Sequence, residues 1–248
     1  MNYNRTLKLY EEFLKKNKIY KKEKKNFYEF TIEKSKNWTN IKFETRVSWY
    51  KKIVKANKAK ISLKNLNNLD KWILKKNKQE IFHKSKKFFS IIGLSTKHAG
   101  REINSWDQPI IKQKALNGGI IGLIRKKING IPHYLIDAKF EPGNYNKIQL
   151  STSVQATYSN IQTIHKGKGN KVLKYYFSNN YTNIFKGYVT EDGGRFYKKR
   201  NLHWIINTKK NILKLPNNFK WLTLWEIDSF IKKGSYVSSH LRAILSLI

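Results

Sequence analysis

Between Pro132 and Asn160 the chain carries side chains that exchange protons or make directed hydrogen bonds, at spacings that gather them. In HYLIDAKFE, read as a strand, His133, Leu135, Asp137, Lys139 and Glu141 point to one face. Tyr134, Ile136, Ala138 and Phe140 point to the other, the expected core side. In QLSTSVQATYS, Gln149, Ser151, Ser153, Gln155, Thr157 and Ser159 share a face opposed by Leu150, Val154, Ala156 and Tyr158. An imidazole titrates near neutral pH, and a partly desolvated glutamate is raised towards it. His133 and Glu141 are therefore candidates for proton exchange, with Lys139, Gln155 and Thr157 as donors. Two such faces side by side make a hydrogen-bonding floor for a polar ligand. The competing reading is that both faces simply meet water, as antiparallel sheets often do.

Arginines are scarce, seven against 44 lysines, so their positions matter. Arg101, Arg195 and Arg200 sit beside turn or polar residues, and a planar guanidinium suits bidentate contact with phosphate oxygens. Surface ion pairing is the plainer role. Trp106 lies in SWDQP, where Pro109 drives Gln108 towards an extended backbone. It is either a stacking platform for a base or sugar or an ordinary core residue.

Other chemistries find little support. The chain has no cysteine, which removes disulfides and thiolate metal sites. Its six histidines show no HExxH or similar ligand spacing, so no metal is expected. Glycines 118, 119 and 122 form no GxGxxG and precede a strand, so no dinucleotide fold is read. A formal charge of +35 would ordinarily suggest nucleic acid. Here Lys, Asn and Ile are jointly abundant, as AT-rich codons favour. The lysines are spread along the chain with no recognisable nucleic-acid module, so no dedicated nucleic-acid partner is expected. A positive field still concentrates small anionic ligands. Lysines interrupt the first 30 residues, and no apolar run approaches the ~20 residues that span a bilayer. A cytoplasmic protein without membrane contact is expected.

The elements that must position these groups follow from periodicity. Residues 1–80 read as a helical extension, with LKLYEEFLKK (Leu7–Lys16) and LNNLDKWILKK (Leu66–Lys76) spacing apolar residues by three and four. From Phe88 the pattern turns to strands. FFSIIGL is an apolar strand closed by its glycine. Gly119–Ile136 is a hairpin with Asn129-Gly130 at the turn. Further strands follow in Lys147–Tyr158 and at His203–Ile206, with a Gly-rich turn at 167–170. Leu222–Lys233 and Val237–Ile248 return to helix. Strands with interspersed and terminal helices predict a mixed α+β domain over 81–248.

Six segments, taken in order, resemble the NDP-hexose 2,3-dehydratases of deoxysugar biosynthesis. They are FFSIIGL (88–94), GREINSWDQPII (100–111), PHYLIDAKFEPGN (132–144), VQATYSN (154–160), GGRFYKKRN (193–201) and KWLTLWEI (220–227). The resemblance implies a Nudix-like mixed β-sheet with flanking helices, without the carboxylate box of a Nudix hydrolase. It implies a lyase acting on a dTDP- or UDP-linked 4-keto-6-deoxyhexose, with no cofactor because no net redox occurs. His133, Glu141 and Lys139 would then be catalytic. Arg101, Trp106, Gln108, Gln149, Gln155, Thr157, Asn160, Arg195, Lys199 and Arg200 would bind substrate. Family members typically carry two such units in one chain. This single unit is expected to work as a homodimer that restores the pair. Two departures stand out: Ser238, Ser239 and His240 replace an Asn/Asp-containing pattern, and Asp192 stands where Gln is usual. A noncatalytic nucleotide-sugar binder is the alternative expectation, and a basic nucleic-acid binder a more distant one.

Overall fold

The computed structural model describes residues 2–75, 80–113, 115–157, 172–177, 181–209 and 215–248. Three helices open the chain: α1 (Tyr3–Lys16), α2 (Lys25–Ser35) and α3 (Phe43–Ala56). Asn2 caps the first, its side chain accepting the Arg5 N–H.

A four-stranded antiparallel sheet follows, in the order β1 (Trp72–Lys75), β2 (Glu80–His83), β3 (Ser90–Thr96) and β4 (Trp106–Lys112). Two sequence expectations need correction here. Leu66–Lys76 is not a helix: one 3₁₀ turn at Leu66–Asn68 gives way to β1. Trp72 sits opposite His83 in the β1–β2 pairing and packs its ring against His83, Phe88 and Phe89. Cross-strand packing overrides the helical spacing. Nor does Gly93 close a strand, because β3 starts at Ser90 and runs through Gly93 to Thr96.

The second sheet has seven strands: β5 (Gly119–Ile128), β6 (Ile131–Phe140), β7 (Ile148–Ser151), β8 (Val154–Ala156), β9 (Tyr181–Thr190), β10 (Arg200–Thr208) and β11 (Phe219–Leu222). Its main order is β11-β6-β5-β10-β9, and β5 and β10 run parallel in an otherwise antiparallel set. The predicted hairpin is present. Asn129 and Gly130 both have positive φ (50° and 78°), the backbone of a type I′ turn. β5 and β6 pair only near that turn, from Ile124↔Leu135 to Ile128↔Ile131. Beyond it they part, β6 taking β7 and β5 taking β8. Ser153 stands in the fork: its Oγ accepts the Ile124 N–H and donates to the Leu135 carbonyl.

Two short helices finish the chain. α4 (Leu224–Lys232) begins in a capping box between Thr223 and Glu226, and α5 (Ser239–Leu245) is capped by the Ser238 hydroxyl. The helices cover one face of the sheet, where Phe30, Tyr50, Phe230 and Leu241 meet Tyr134, Ile136 and Leu150. The opposite face is covered as well: Leu135 and Val154 pack with Tyr176 and Trp204. One face of β6 was expected to be a polar floor. Its middle is instead buried on both sides, and the polar floor survives only towards its C-terminal end. Among the described residues no helix is long and apolar enough to cross a membrane.

Candidate functional site

The fork in the sheet creates the first polar cluster. Because β7 pairs with β6 and β8 with β5, side chains from both arms converge across the gap. Lys139 Nζ lies 2.8 Å from Glu141 Oε1, and Gln155 Nε2 donates to the same oxygen at 3.2 Å. Ser151 Oγ donates to Gln155 Oε1 at 3.3 Å and accepts from Ser238 Oγ at 3.4 Å. Lys139 and Glu141 are each about one-third exposed, so the cluster borders solvent. Asp137, one turn of the pleat earlier, bonds Asn218, and burial pushes its carboxyl up to about 6.

The second cluster lies across the N-terminus of α5. His240, in the first turn of that helix, places Nε2 3.2 Å from Glu191 Oε1. Asn201 donates its side-chain amide to the same oxygen. The bond to His240 is the leading cause holding Glu191 below the usual carboxylate range. His203 shares its register partner Ile121 with Gln155, so the two lie in one row across β8, β5 and β10. Burial pushes His203 down. Beside Glu191 opens a cavity of about 410 Å³ whose lining includes Asn117, Lys198, Lys199 and Arg200. Lys199 reaches the Ala115 carbonyl at 3.0 Å, and burial lowers its pKa. Arg200 Nε donates to Asn117 Oδ1 at 2.9 Å.

A third cluster joins the two sheets. β4 docks on the segment after Glu191 through Ile111 N–H to Arg195 O and Tyr197 N–H to Ile111 O, both 2.9 Å. Trp106 Nε1 donates to Gln108 Oε1, and Gln108 Nε2 donates to the Gly194 carbonyl, each at 2.7 Å. The Arg101 guanidinium stands over the Trp106 ring at 5.8 Å. Arg195 pairs with Asp192 at 3.4 Å and is largely exposed.

Of the residues singled out in the sequence, Lys139, Glu141 and Gln155 come together in the first cluster. Lys199 and Arg200 line the cavity, and Arg101, Trp106, Gln108 and Arg195 assemble at the third. Gln149 instead donates to the Ser235 carbonyl, bracing the loop before α5, and Thr157 is exposed at the end of β8. Asn160 and the Gly-rich turn at 167–170 lie outside the described residues. His133 is not brought to this site. Eight residues of strand separate it from Glu141, roughly 26 Å at ~3.3 Å per residue. It is buried at the hairpin end, with Nδ1 2.8 Å from the Ile131 carbonyl, and burial depresses its pKa. Sequence reasoning passed over Glu191 and Asn201, and read Ser238 and His240 only as departures from a pattern. The signal present was position: Asn201 ends a quoted segment, and Glu191 directly precedes the altered Asp192.

These clusters form one arc of carboxylates, an imidazole, cations and amides, running from the forked sheet across a helix N-terminus to a basic cavity. Such an arc brings together groups of the kinds that exchange protons and hold anions. The family model for NDP-hexose 2,3-dehydratase matches residues 44–248, and the chain belongs to that family. It is 33% identical over 183 residues to a dTDP-4-dehydro-6-deoxy-alpha-D-glucopyranose 2,3-dehydratase of Saccharopolyspora spinosa, covering 73% of this chain and 37% of that protein. A protein of the same name from Amycolatopsis orientalis is 32% identical over 73% of this chain and 39% of its own length. Another, from Streptomyces violaceoruber, is 28% identical over 80% and 45%. The matched region therefore spans less than half the length of each of these relatives.

Proposed function

We propose that this chain catalyses the 2,3-dehydration of a dTDP-linked 4-keto-6-deoxyhexose. The observation that carries the reading is the Glu141 carboxylate shared by Lys139 and Gln155 at 2.8 and 3.2 Å, inside the stretch matched to the dehydratase family. A ketone at C4 acidifies the C3 proton. Its removal builds an enolate on the C4 oxygen, the C2 hydroxyl leaves as water, and the enol tautomerises to a 3,4-diketo-2,6-dideoxy sugar. The reaction needs a base at C3, hydrogen-bond donors for the enolate and an acid at the departing hydroxyl. Lys139, held in place by Glu141, and Gln155 supply donors on one side of the sugar. Lys198, Lys199 and Arg200 line a cavity of the charge a diphosphate requires. Trp106, with its indole N–H tied to Gln108, supplies a flat surface for the base. No hydride changes hands, so the chemistry requires no nicotinamide.

The reading extends to a homodimer. Apolar side chains exposed on the N-terminal helices, Leu9, Phe13 and Phe27, supply surface for such pairing. A monomer by light scattering at micromolar concentration counts against that part.

Incubation with dTDP-4-keto-6-deoxyglucose in D₂O, coupled to a 3-ketoreductase that traps the product, tests the activity. The expected result is a trapped 2-deoxy sugar with deuterium at C2. Tight dTDP binding without any turnover would identify a noncatalytic nucleotide-sugar binder instead.

A further inference from the structure

The dehydratase reading leaves unassigned the group that takes the C3 proton, and the following rests on that reading. We propose that His240, oriented by Glu191, is the base. An ionised carboxylate can only accept, so the His240 ring carries its hydrogen on Nε2 and donates it to Glu191 Oε1 at 3.2 Å. Asn201 donates to that same oxygen and fixes the carboxylate from the sheet side. Gly119 leaves room for this: a Cβ there would stand 2.1 Å from Asn201 Oδ1. The lone pair of the neutral ring is then on Nδ1, the nitrogen turned away from the carboxylate. This is the arrangement by which a carboxylate selects a tautomer and stabilises the imidazolium that forms.

Position separates His240 from His203, His133 and His83. Its side chain is 25% exposed, whereas His203 and His133 are 4% and 6% exposed as residues. His83 bonds Ser85 within the four-stranded sheet, away from any carboxylate partner in the described residues. His240 also follows the residue that ties its helix to the Lys139 cluster. Ser238, two residues earlier and about 3 Å back along the helix rise, connects through Ser151 and Gln155 to Glu141 and Lys139. Base and donor cluster thus flank one helix end, joined through Ser238 and Ser151.

The step balances. Nδ1 takes the C3 proton, and the C–H electron pair becomes the C2=C3 bond by way of the C4 enolate. The C2–O bond breaks, and the hydroxyl leaves as water with a proton from the Lys139 side. The C3 enol hydroxyl then returns a proton to that side, and C2 takes one from the imidazolium or solvent.

The test uses the full chain with dTDP-4-keto-6-deoxyglucose and the ketoreductase trap, comparing parent, His240→Ala and Glu191→Gln. His240→Ala is expected to lose about 10²–10⁴ in kcat, to keep dTDP affinity within about twofold, and to regain turnover with added imidazole. Its kcat should also show a larger isotope effect with C3-deuterated substrate, because proton removal becomes limiting. Glu191→Gln, a positioning change, should lower kcat with KM nearly unchanged and gain nothing from imidazole. An active parent alongside a His240→Ala variant that is equally active, or that imidazole fails to rescue, overturns the assignment and leaves the dehydratase reading standing. A parent that neither eliminates water nor exchanges the C3 hydrogen in D₂O overturns both.

Discussion

Glu33 on α2 accepts from Arg125 on β5 at 2.6 Å, and both side chains are almost fully removed from solvent. Tyr134 donates to the other Glu33 oxygen at 2.7 Å, and Glu29 pairs with the same Arg125 nitrogen at 2.7 Å. The N-terminal helices are therefore fastened to the main sheet by buried charge, in addition to the apolar contacts of Phe30 and Tyr50. Removing one partner strands the other in a low-dielectric interior. Glu33→Ala should destabilise by about 3–5 kcal/mol, whereas the double change Glu33→Leu with Arg125→Met should recover most of that loss. Urea unfolding of the two variants beside the parent measures both.

Asp137 gives a stability change of known sign. Its carboxyl is pushed from 3.8 to about 6 by burial, so the folded protein holds the proton more tightly than the unfolded chain. The group therefore favours folding at acidic pH, and that advantage is lost as pH rises through 4 to 6. Asp137→Asn keeps an acceptor for Asn218 without the buried charge. It should stabilise the fold at pH 7 by on the order of 1–3 kcal/mol and by much less near pH 4. Equal effects at the two pH values, read from unfolding midpoints, would refute the buried-charge account.

Gly122 abuts a fully buried ring. A Cβ added there would lie 2.6 Å from the Tyr176 hydroxyl and 2.7 Å from Cζ. Tyr176 packs against Trp204 in the same cluster and has little room to retreat. Gly122→Ala should cost about 1–3 kcal/mol through overpacking. Thermal unfolding of this variant beside Gly143→Ala, where nothing lies within 4 Å, provides the control.

Turnover should separate Glu141 from His133. Glu141→Gln weakens the carboxylate that fixes Lys139, so kcat should fall by about 10²–10⁴ while dTDP affinity stays nearly constant. His133→Asn, on a buried residue far along the strand, should leave kcat within about threefold. The reverse ranking would move the catalytic centre to the hairpin end.

Nucleotide affinity tests the basic cavity. Arg200→Lys keeps the charge and loses the planar fork that Asn117 orients, so dTDP binding should weaken about tenfold, or ~1.4 kcal/mol. Isothermal titration with dTDP reads this directly, and unchanged affinity removes Arg200 from the diphosphate contacts.

The sequence by itself determined the local elements whose causes are local. Asn129-Gly130 demanded a tight hairpin because both residues tolerate positive φ. Thr223 with Glu226 set the start of α4 through reciprocal backbone bonds. The alternation in HYLIDAKFE correctly put Tyr134, Ile136 and Ala138 in the core, and kept Lys139 and Glu141 away from it. Tertiary structure decided whatever depended on partners far along the chain. Alternation could not reveal that β5 and β6 part at Ser153, so it grouped His133 with Glu141 and did not foresee Gln155 crossing the gap. The helical spacing of Leu66–Lys76 yielded to strand pairing because Trp72 found its partners in His83, Phe88 and Phe89. Glu191 and His240 lie 49 residues apart and share no periodicity. Their meeting depends on where α5 packs against the sheet, which only the assembled core fixes.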